Sequence, residues 1–368
     1  MRSRALMPLV VVVALVMAVA LWVVPVCLVA QGQASAANTP NAKSGGTANA
    51  KLVWDPTAPP PADWTPPRTS WGDPDLRGYY LDSSYTPVER PVALAGKALY
   101  TVEEAIQAFR KQIARAAEFD TTTVHYDTKE FGQQLWQSPV RPNRRTSLVV
   151  DPPDGRIPPL TAEAQKRQAA RAAAEKAKGV DVQSLPVFTR CITGENGIPR
   201  THGALNREYQ ILQTPGYVTL FLQHIGEERI IPLDGRPHLP SNMKTWLGDS
   251  RGRFEGNTLI VETTNFHDQR QWRGSGGGLH LVERFTLTDA RTLKYEFTVS
   301  DPTTWARPWS YEAPNWRIEP PLYEFACNEH NYGVINVAVG LQIREKEAIG
   351  PRDRAEVTRS EGFLFSNL

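Results

Sequence analysis

Between Tyr209 and Asp301 apolar and polar residues alternate again and again, and each alternating run is cut off by a turn sequence. A period of two places successive side chains on opposite faces of a strand, whereas a helix needs a period near 3.6. The cleanest case is TLKYEFTVSD (292–301), where Leu293, Tyr295, Phe297 and Val299 form one row and Lys294, Glu296 and Thr298 the other. The same reading predicts strands in YQILQ (209–213), YVTLFLQHI (217–225), ERIIPL (228–233), TWLGDS (245–250), GRFEGNTLIVETTNF (252–266) and LHLVERFTLT (279–288). The separators Thr214-Pro215-Gly216, Leu233-Asp234-Gly235, Glu255-Gly256-Asn257 and Asp289-Ala290-Arg291 are too short for anything but antiparallel connections. One apolar face per strand requires a sheet that curls over its own core. The expected fold is therefore mainly β, an antiparallel lipocalin-like barrel or half-barrel with peripheral helices.

Two residues interrupt the apolar rows. Glu283 lies in the row Leu279, Leu281, Glu283, Phe285, Leu287, and His224 ends the row Val218, Leu220, Leu222. A carboxylate or imidazole in such a row is costly unless it is paired, hydrogen-bonded or shifted in pKa. Groups of this kind are where acid–base chemistry or ligand recognition is built. Glu283 and His224 are thus the candidate catalytic acid and base, with a raised Glu283 pKa suited to proton transfer. The structural alternatives are an ion pair of Glu283 with Arg307 or Arg317, and a rim position for His224. His280 is three residues from Glu283 on the same strand and faces the other way.

The candidate substrate-binding residues are Arg284, Trp305, Trp309, Tyr332 and His330. DPTTWARPWSYEAPNW (301–316) reads as a proline-rich loop after a strand, whose tryptophans either wall a pocket or close the end of the core. Asp301, Glu324 and Glu329 are further polar candidates. Gly274 to Gly278 precede a strand, where a phosphate cradle would precede a helix, so they read as a hairpin loop or lid. No H-x-H, H-E-x-x-H or Asp-rich calcium loop is present; His224, Glu283 and His330 have acceptable ligand types but no metal-binding spacing, and no metal is expected. No G-x-S-x-G elbow supports a serine hydrolase. A net charge of +2 with mixed signs provides no basic stripe for nucleic acid.

Helices are predicted at 101–119, where Thr101 and Glu104 form a capping box, at 161–178, rich in Ala, Lys and Arg without an aliphatic stripe, and at 334–347. Met1 to Met7 carries two arginines, an uncharged apolar run extends from Pro8 to Ala30, and Ala34-Ser35-Ala36 follows. This reads as a signal peptide over residues 1–36, the alternative being a retained membrane anchor. Val24-Pro25-Val26 before Cys27 is a poor lipobox. Residues 37–68, rich in Ala and Pro, read as a disordered linker onto which Trp54 and Trp64 can still dock, and 69–368 as one β-rich domain. The expected location is periplasmic or secreted. Cys191 and Cys327, the two cysteines beyond the signal, then most simply form a disulfide.

The strings WGDPDLRGYY, SLVVDPPDGRIPPLT, RIIPLDGRPHLP, GDSRGRFEGNTLIVETTNF, LHLVERF, DPTTWARPW and YEFACNEHNYG together resemble a group of exported bacterial proteins of unknown function. The GRFEGNTLIVET hairpin is also similar to hairpins of lipocalin-like barrels that hold small hydrophobic molecules. The expected function is binding of a small apolar or aromatic molecule in a β-barrel pocket, either with acid/base catalysis as a lyase, isomerase or hydrolase that uses no organic cofactor, or as a non-catalytic carrier. No nucleic-acid partner is expected, and a membrane only if the N-terminal segment is retained.

Overall fold

The structure, a computed structural model, describes residues 53–117, 140–177, 185, 187, 189–193, 198–202, 207–270, 272–319, 321–329, 331–336 and 339–340. The expected signal segment and residues 37–52 of the expected linker, His330, most of the helix expected over 334–347 and the C-terminal residues lie outside the described residues. Ten strands form one sheet: β1 (Gly78–Leu81), β2 (Val149–Asp151), β3 (Glu208–Thr214), β4 (Tyr217–Leu222), β5 (Glu228–Pro232), β6 (Asp249–Glu255), β7 (Thr258–Thr264), β8 (His280–Asp289), β9 (Thr292–Ser300) and β10 (Trp309–Ile318). Their order is β5-β4-β3-β1-β10-β9-β8-β7-β6, with β2 added beside β10, and every strand pairing is antiparallel.

The sheet is not closed: β5 and β6 are the ends of that order and do not pair with each other. It nevertheless curls until the two ends touch through side chains. Arg229 of β5 donates to Ser250 of β6 at 2.9 Å, and a Cβ built at Gly252 of β6 would lie 2.7 Å from Ile231 of β5 and from Leu233. Inward-facing residues from both halves, including Tyr209, Ile211, Leu220 and Ile231 on one side and Val261, Phe285, Tyr295 and Phe297 on the other, make one continuous core. Alternation fixes that side: Glu283 is buried with Leu281, Phe285 and Leu287, while Val282, Arg284 and Thr286 stand on the outer face.

The sequence reading misses β10. Trp309–Ile318 lies at the centre of the sheet, between β1 and β9, where a tryptophan- and proline-rich loop was expected. Pro314 cannot donate to a ladder and normally excludes a central strand. Here β2 pairs with β10 at Ser310 and Tyr311 and β1 from Trp316 onward, so Pro314 occupies the interval between those two partners. The expected strand over 245–250 also begins later, at Asp249, after a turn in which Gly248 has φ +70°.

Helix α1 (Val102–Ala117) begins with the reciprocal capping box: Thr101 N–H donates to Glu104 Oε2 at 2.8 Å, and Glu104 N–H to Thr101 Oγ1 at 3.2 Å. Its Phe109 packs on a second cluster outside the sheet, with Trp54, Leu81, Val140 and Trp316. Helix α2 (Ala162–Ala177) is tied by its first turn to the β9–β10 loop, through Thr161 Oγ1 to Thr303 O at 2.8 Å and Arg167 to Thr304 Oγ1 at 3.0 Å. Of the proline-rich segment, residues 53–68 lie against the domain: Trp54 pairs with Asn143 and Trp64 packs on the main core. Residues 332–336 are helical.

Candidate functional site

β1, β4, β7 and β9 finish, and β3, β5, β6, β8 and β10 begin, at one end of the curl. The loops of that end enclose a dense buried polar network. Arg200, Arg207, Arg229 and Arg270 are each at most 5 % exposed, as are Asp82 and Glu283. Asp82 Oδ2 receives Arg207 at 2.6 Å and lies 3.1 Å from Arg200 Nε. Arg200 also lies over the Tyr209 ring, 4.4 Å from its centroid, and Tyr209 Oη accepts from Asn315 at 2.6 Å. Glu283 uses both oxygens: Oε2 accepts from Arg229 at 2.5 Å and Oε1 from the Tyr295 hydroxyl at 2.8 Å. Arg229 donates further to Thr263 at 2.6 Å.

A segment of chain joins these groups. Residues 198–202 cross the interior: the Arg200 N–H donates to Tyr295 Oη at 3.1 Å, the His202 N–H to Tyr311 Oη at 3.1 Å, and the Ile198 carbonyl accepts from Arg270. Strand tyrosines thus satisfy backbone that would otherwise be costly to bury. Burial drives the Tyr295 hydroxyl pKa well above its ordinary value, reinforced by Glu283, and burial likewise raises that of Tyr311.

Two histidines border the network. Burial lowers the His224 pKa to about 4, helped by Arg207 and Arg200; burial, Arg207 and Arg273 bring His202 to about 4 against an opposing pull from Asp82. Both rings are therefore neutral at pH 7. His224 lies two residues beyond β4 and meets Phe325 edge-on, with ring centroids 4.8 Å apart. Phe325 belongs to the segment 321–329, fastened by the Cys191–Cys327 disulfide and by the Tyr323 N–H on Gln223 Oε1 at 3.1 Å.

Comparison of the chain with protein-family models, curated proteins and solved structures found no match. The site therefore rests on its own geometry.

That geometry distributes the sequence candidates unevenly. Glu283 and His224 both belong to this end, Glu283 bonded to Arg229 and Tyr295, His224 against Phe325 and under the positive charges of Arg207 and Arg200. The partner of Glu283 is Arg229, whereas Arg307 pairs with Asp151 and Arg317 donates to Tyr80 Oη. Arg284 stands on the outer face and cannot line an interior site alongside Glu283. Trp305 and Trp309 are buried in a cluster with Trp272 and Phe297, so they close this end of the core. Tyr332 is 60 % exposed. His280 pairs with Glu262 at 2.7 Å outside the sheet, and Asp301 accepts from Ser275, Thr303 and Thr304. Ser275 is buried by that bond, so the glycine-rich stretch is pinned to the β9–β10 loop.

The arginines, Asp82, His202 and Tyr295 were missed as site residues. For Arg229 a signal existed: it shares a face with Ile231, and choosing Ile231 rather than Ile230 as the inward residue turns Arg229 inward too. Among the described residues no group of three or more His, Cys, Asp or Glu side chains could hold a metal, and no helix is long and apolar enough to cross a membrane. The disulfide is compatible with an extracytoplasmic protein.

Proposed function

We propose that the protein is an exported, periplasmic or secreted binder of a small molecule with an apolar or aromatic body, received at the loop end of a lipocalin-like curled sheet. The observation that carries this reading is the buried network of Asp82, Arg200, Arg207, Arg229, Arg270 and Glu283 at the loop end of the sheet. Burying six ionisable groups costs several kcal/mol each before pairing offsets it, an expense that a sheet needing only a core would avoid. The buried aromatic side chains of Trp272, Trp309, Phe297 and Tyr311 pack against one another and give that end an apolar floor. The test is native mass spectrometry of protein taken from the periplasm of its own host. A bound small molecule that leaves on mild denaturation supports the reading; protein of bare mass in every preparation, with no binder in a ligand screen, overturns it.

A catalytic version is favoured by one feature, a His224 imidazole kept neutral by burial and by the positive charges of Arg207 and Arg200. A neutral imidazole can accept a proton, and guanidinium groups can stabilise the anion that results. In that version His224 is the base, while Glu283, which accepts on both oxygens and has no proton to give, holds Arg229 and Tyr295 in place rather than acting as the acid. His224→Gln would then abolish turnover of a substrate while leaving its binding within a few-fold.

A further inference from the structure

Among the described residues the buried charges of the loop end do not balance. Arg200, Arg207, Arg229 and Arg270 are four buried cations. The carboxylates that act on them are Asp82, on Arg200 and Arg207; Glu283, on Arg229 and Arg270; and Glu227, on Arg270. Among the described residues these four cations face three carboxylates, one anion fewer than the cations.

The surplus has a location. Asp82 and Glu283 make direct ion pairs with Arg200, Arg207 and Arg229, whereas no carboxylate forms an ion pair with Arg270 among the described residues. Arg270 is 5 % exposed; it donates through Nη2 to the Ile198 carbonyl, its guanidinium lies 5.0 Å from the Phe266 ring centroid, and its buried Nη1 has no partner. The Nδ1 of His202, four residues along the same crossing segment, is also buried without a partner. A buried donor with no acceptor loses its full hydration without return, a cost that is larger for a charged group. Native interiors leave few such atoms, and a bound ligand is a standard way of satisfying them.

Resting on the small-molecule reading above, we infer that the ligand is an organic acid whose carboxylate sits on Arg270 Nη1. One carboxylate supplies the single negative charge that is lacking. A phosphate would bring nearly two charges toward Glu227 and Glu283, which already act on the same arginine.

The experiment is titration of the mature, disulfide-bonded protein at pH 7 with acetate, benzoate and octanoate, followed by saturation-transfer NMR and calorimetry. Benzamide serves as the neutral counterpart of benzoate and inorganic phosphate as the competing anion. At least one carboxylate should bind, benzamide at least tenfold more weakly than benzoate if benzoate is the binder, and phosphate should not displace it at equal concentration. Arg270→Gln should weaken that carboxylate at least tenfold. Arg270→Lys, which keeps the charge and loses the planar fork, should give an intermediate loss and covers the case in which the Gln variant fails to fold. Binding of none of the three acids at millimolar concentration, equal binding of benzamide, displacement by phosphate, or indifference to both substitutions overturns the assignment. A neutral molecule that co-purifies with the protein and is retained by Arg270→Gln defeats this inference while leaving the small-molecule reading intact.

Discussion

The Arg229 guanidinium and the Glu283 carboxylate meet at 2.5 Å, although their strands, β5 and β8, share no hydrogen-bonded neighbour. The pair spans the seam that the backbone leaves open between β5 and β6, with Ser250 and Thr263 bound to the same guanidinium. Both ends of the sheet are thus held to one buried point.

Removing one member of a buried pair leaves the other charge uncompensated, which typically costs about 3–5 kcal/mol. Glu283→Leu and Arg229→Met should each destabilise the protein by about that much in urea unfolding. The double variant should recover at least half of the summed loss, because neither charge is then left alone. Additive losses would show that the pair is not coupled across the seam. The same reasoning complicates Glu283→Gln as a probe of catalysis, since that change strips Arg229 of its anion, so folding must be measured beside turnover.

The seam makes a second demand at Gly252. A methyl group there would sit 2.7 Å from Ile231 Cγ2 and from Leu233 Cδ2, closer than side-chain carbons approach. Overpacking of this kind costs roughly 1–3 kcal/mol. Gly252→Ala should lower stability by that amount and Gly252→Val by more, while Gly256→Ala in the adjoining turn would act through its positive φ of +60° with nothing within 4 Å. Ile231→Ala placed in the Gly252→Ala background should relieve part of the strain, and a failure to do so would mean that β5 and β6 do not touch at that point.

The strands and their inward faces were legible because one-sided burial writes a period of two into the chain, as in Leu293 to Val299. The inward placement of Glu283 followed from the same pattern. What alternation cannot convey is which distant side chain meets an inward polar group. Arg229 meets Glu283 only because the sheet curls, and the curl is set by twist and seam contacts rather than by either strand. Arg200 and His202 were invisible for another reason: they lie on an irregular crossing segment held by tyrosine hydroxyls, where no periodicity exists to read. Pro314 hid β10, since its exclusion from central strands holds only where both sides of the strand are paired.

The disulfide should act locally more than globally. Cys191 and Cys327 are 136 residues apart in sequence, and chain-entropy estimates for so long a loop are on the order of 4–5 kcal/mol, an upper figure for what is measured. Ellman titration of denatured protein purified without reductant should find no free thiol from these two residues. In the double variant Cys191→Ala/Cys327→Ala, amide exchange should rise most over 321–329 and 189–193, with β8 and β9 little changed. Uniform loss of protection throughout the sheet would instead make the bridge part of the global fold.

The two histidines set an acid limit. Both have folded pKa values of about 4 against an ordinary value of 6.5, so between those limits the unfolded chain binds more protons than the folded one. Stability must therefore rise with pH across that window and be lost as the pH falls from 6.5 toward 4. The ceiling is roughly 1.4 kcal/mol per histidine for each pH unit inside the window; solvent reaching the partly exposed rings lowers it. Asp55, Asp75 and Asp301 have pKa values below the ordinary carboxylate value, so their stabilising contribution is lost only at still lower pH and the two effects separate. Urea unfolding of the wild type at pH 7, 6, 5 and 4.5 should show a steady decline that His202→Gln/His224→Gln flattens. Single substitutions should flatten it by part of that amount, because Arg207 acts on both rings. A wild-type profile level from pH 7 to 4.5 would mean that the imidazoles are not held neutral by burial, and the base assigned to His224 would lose its physical ground.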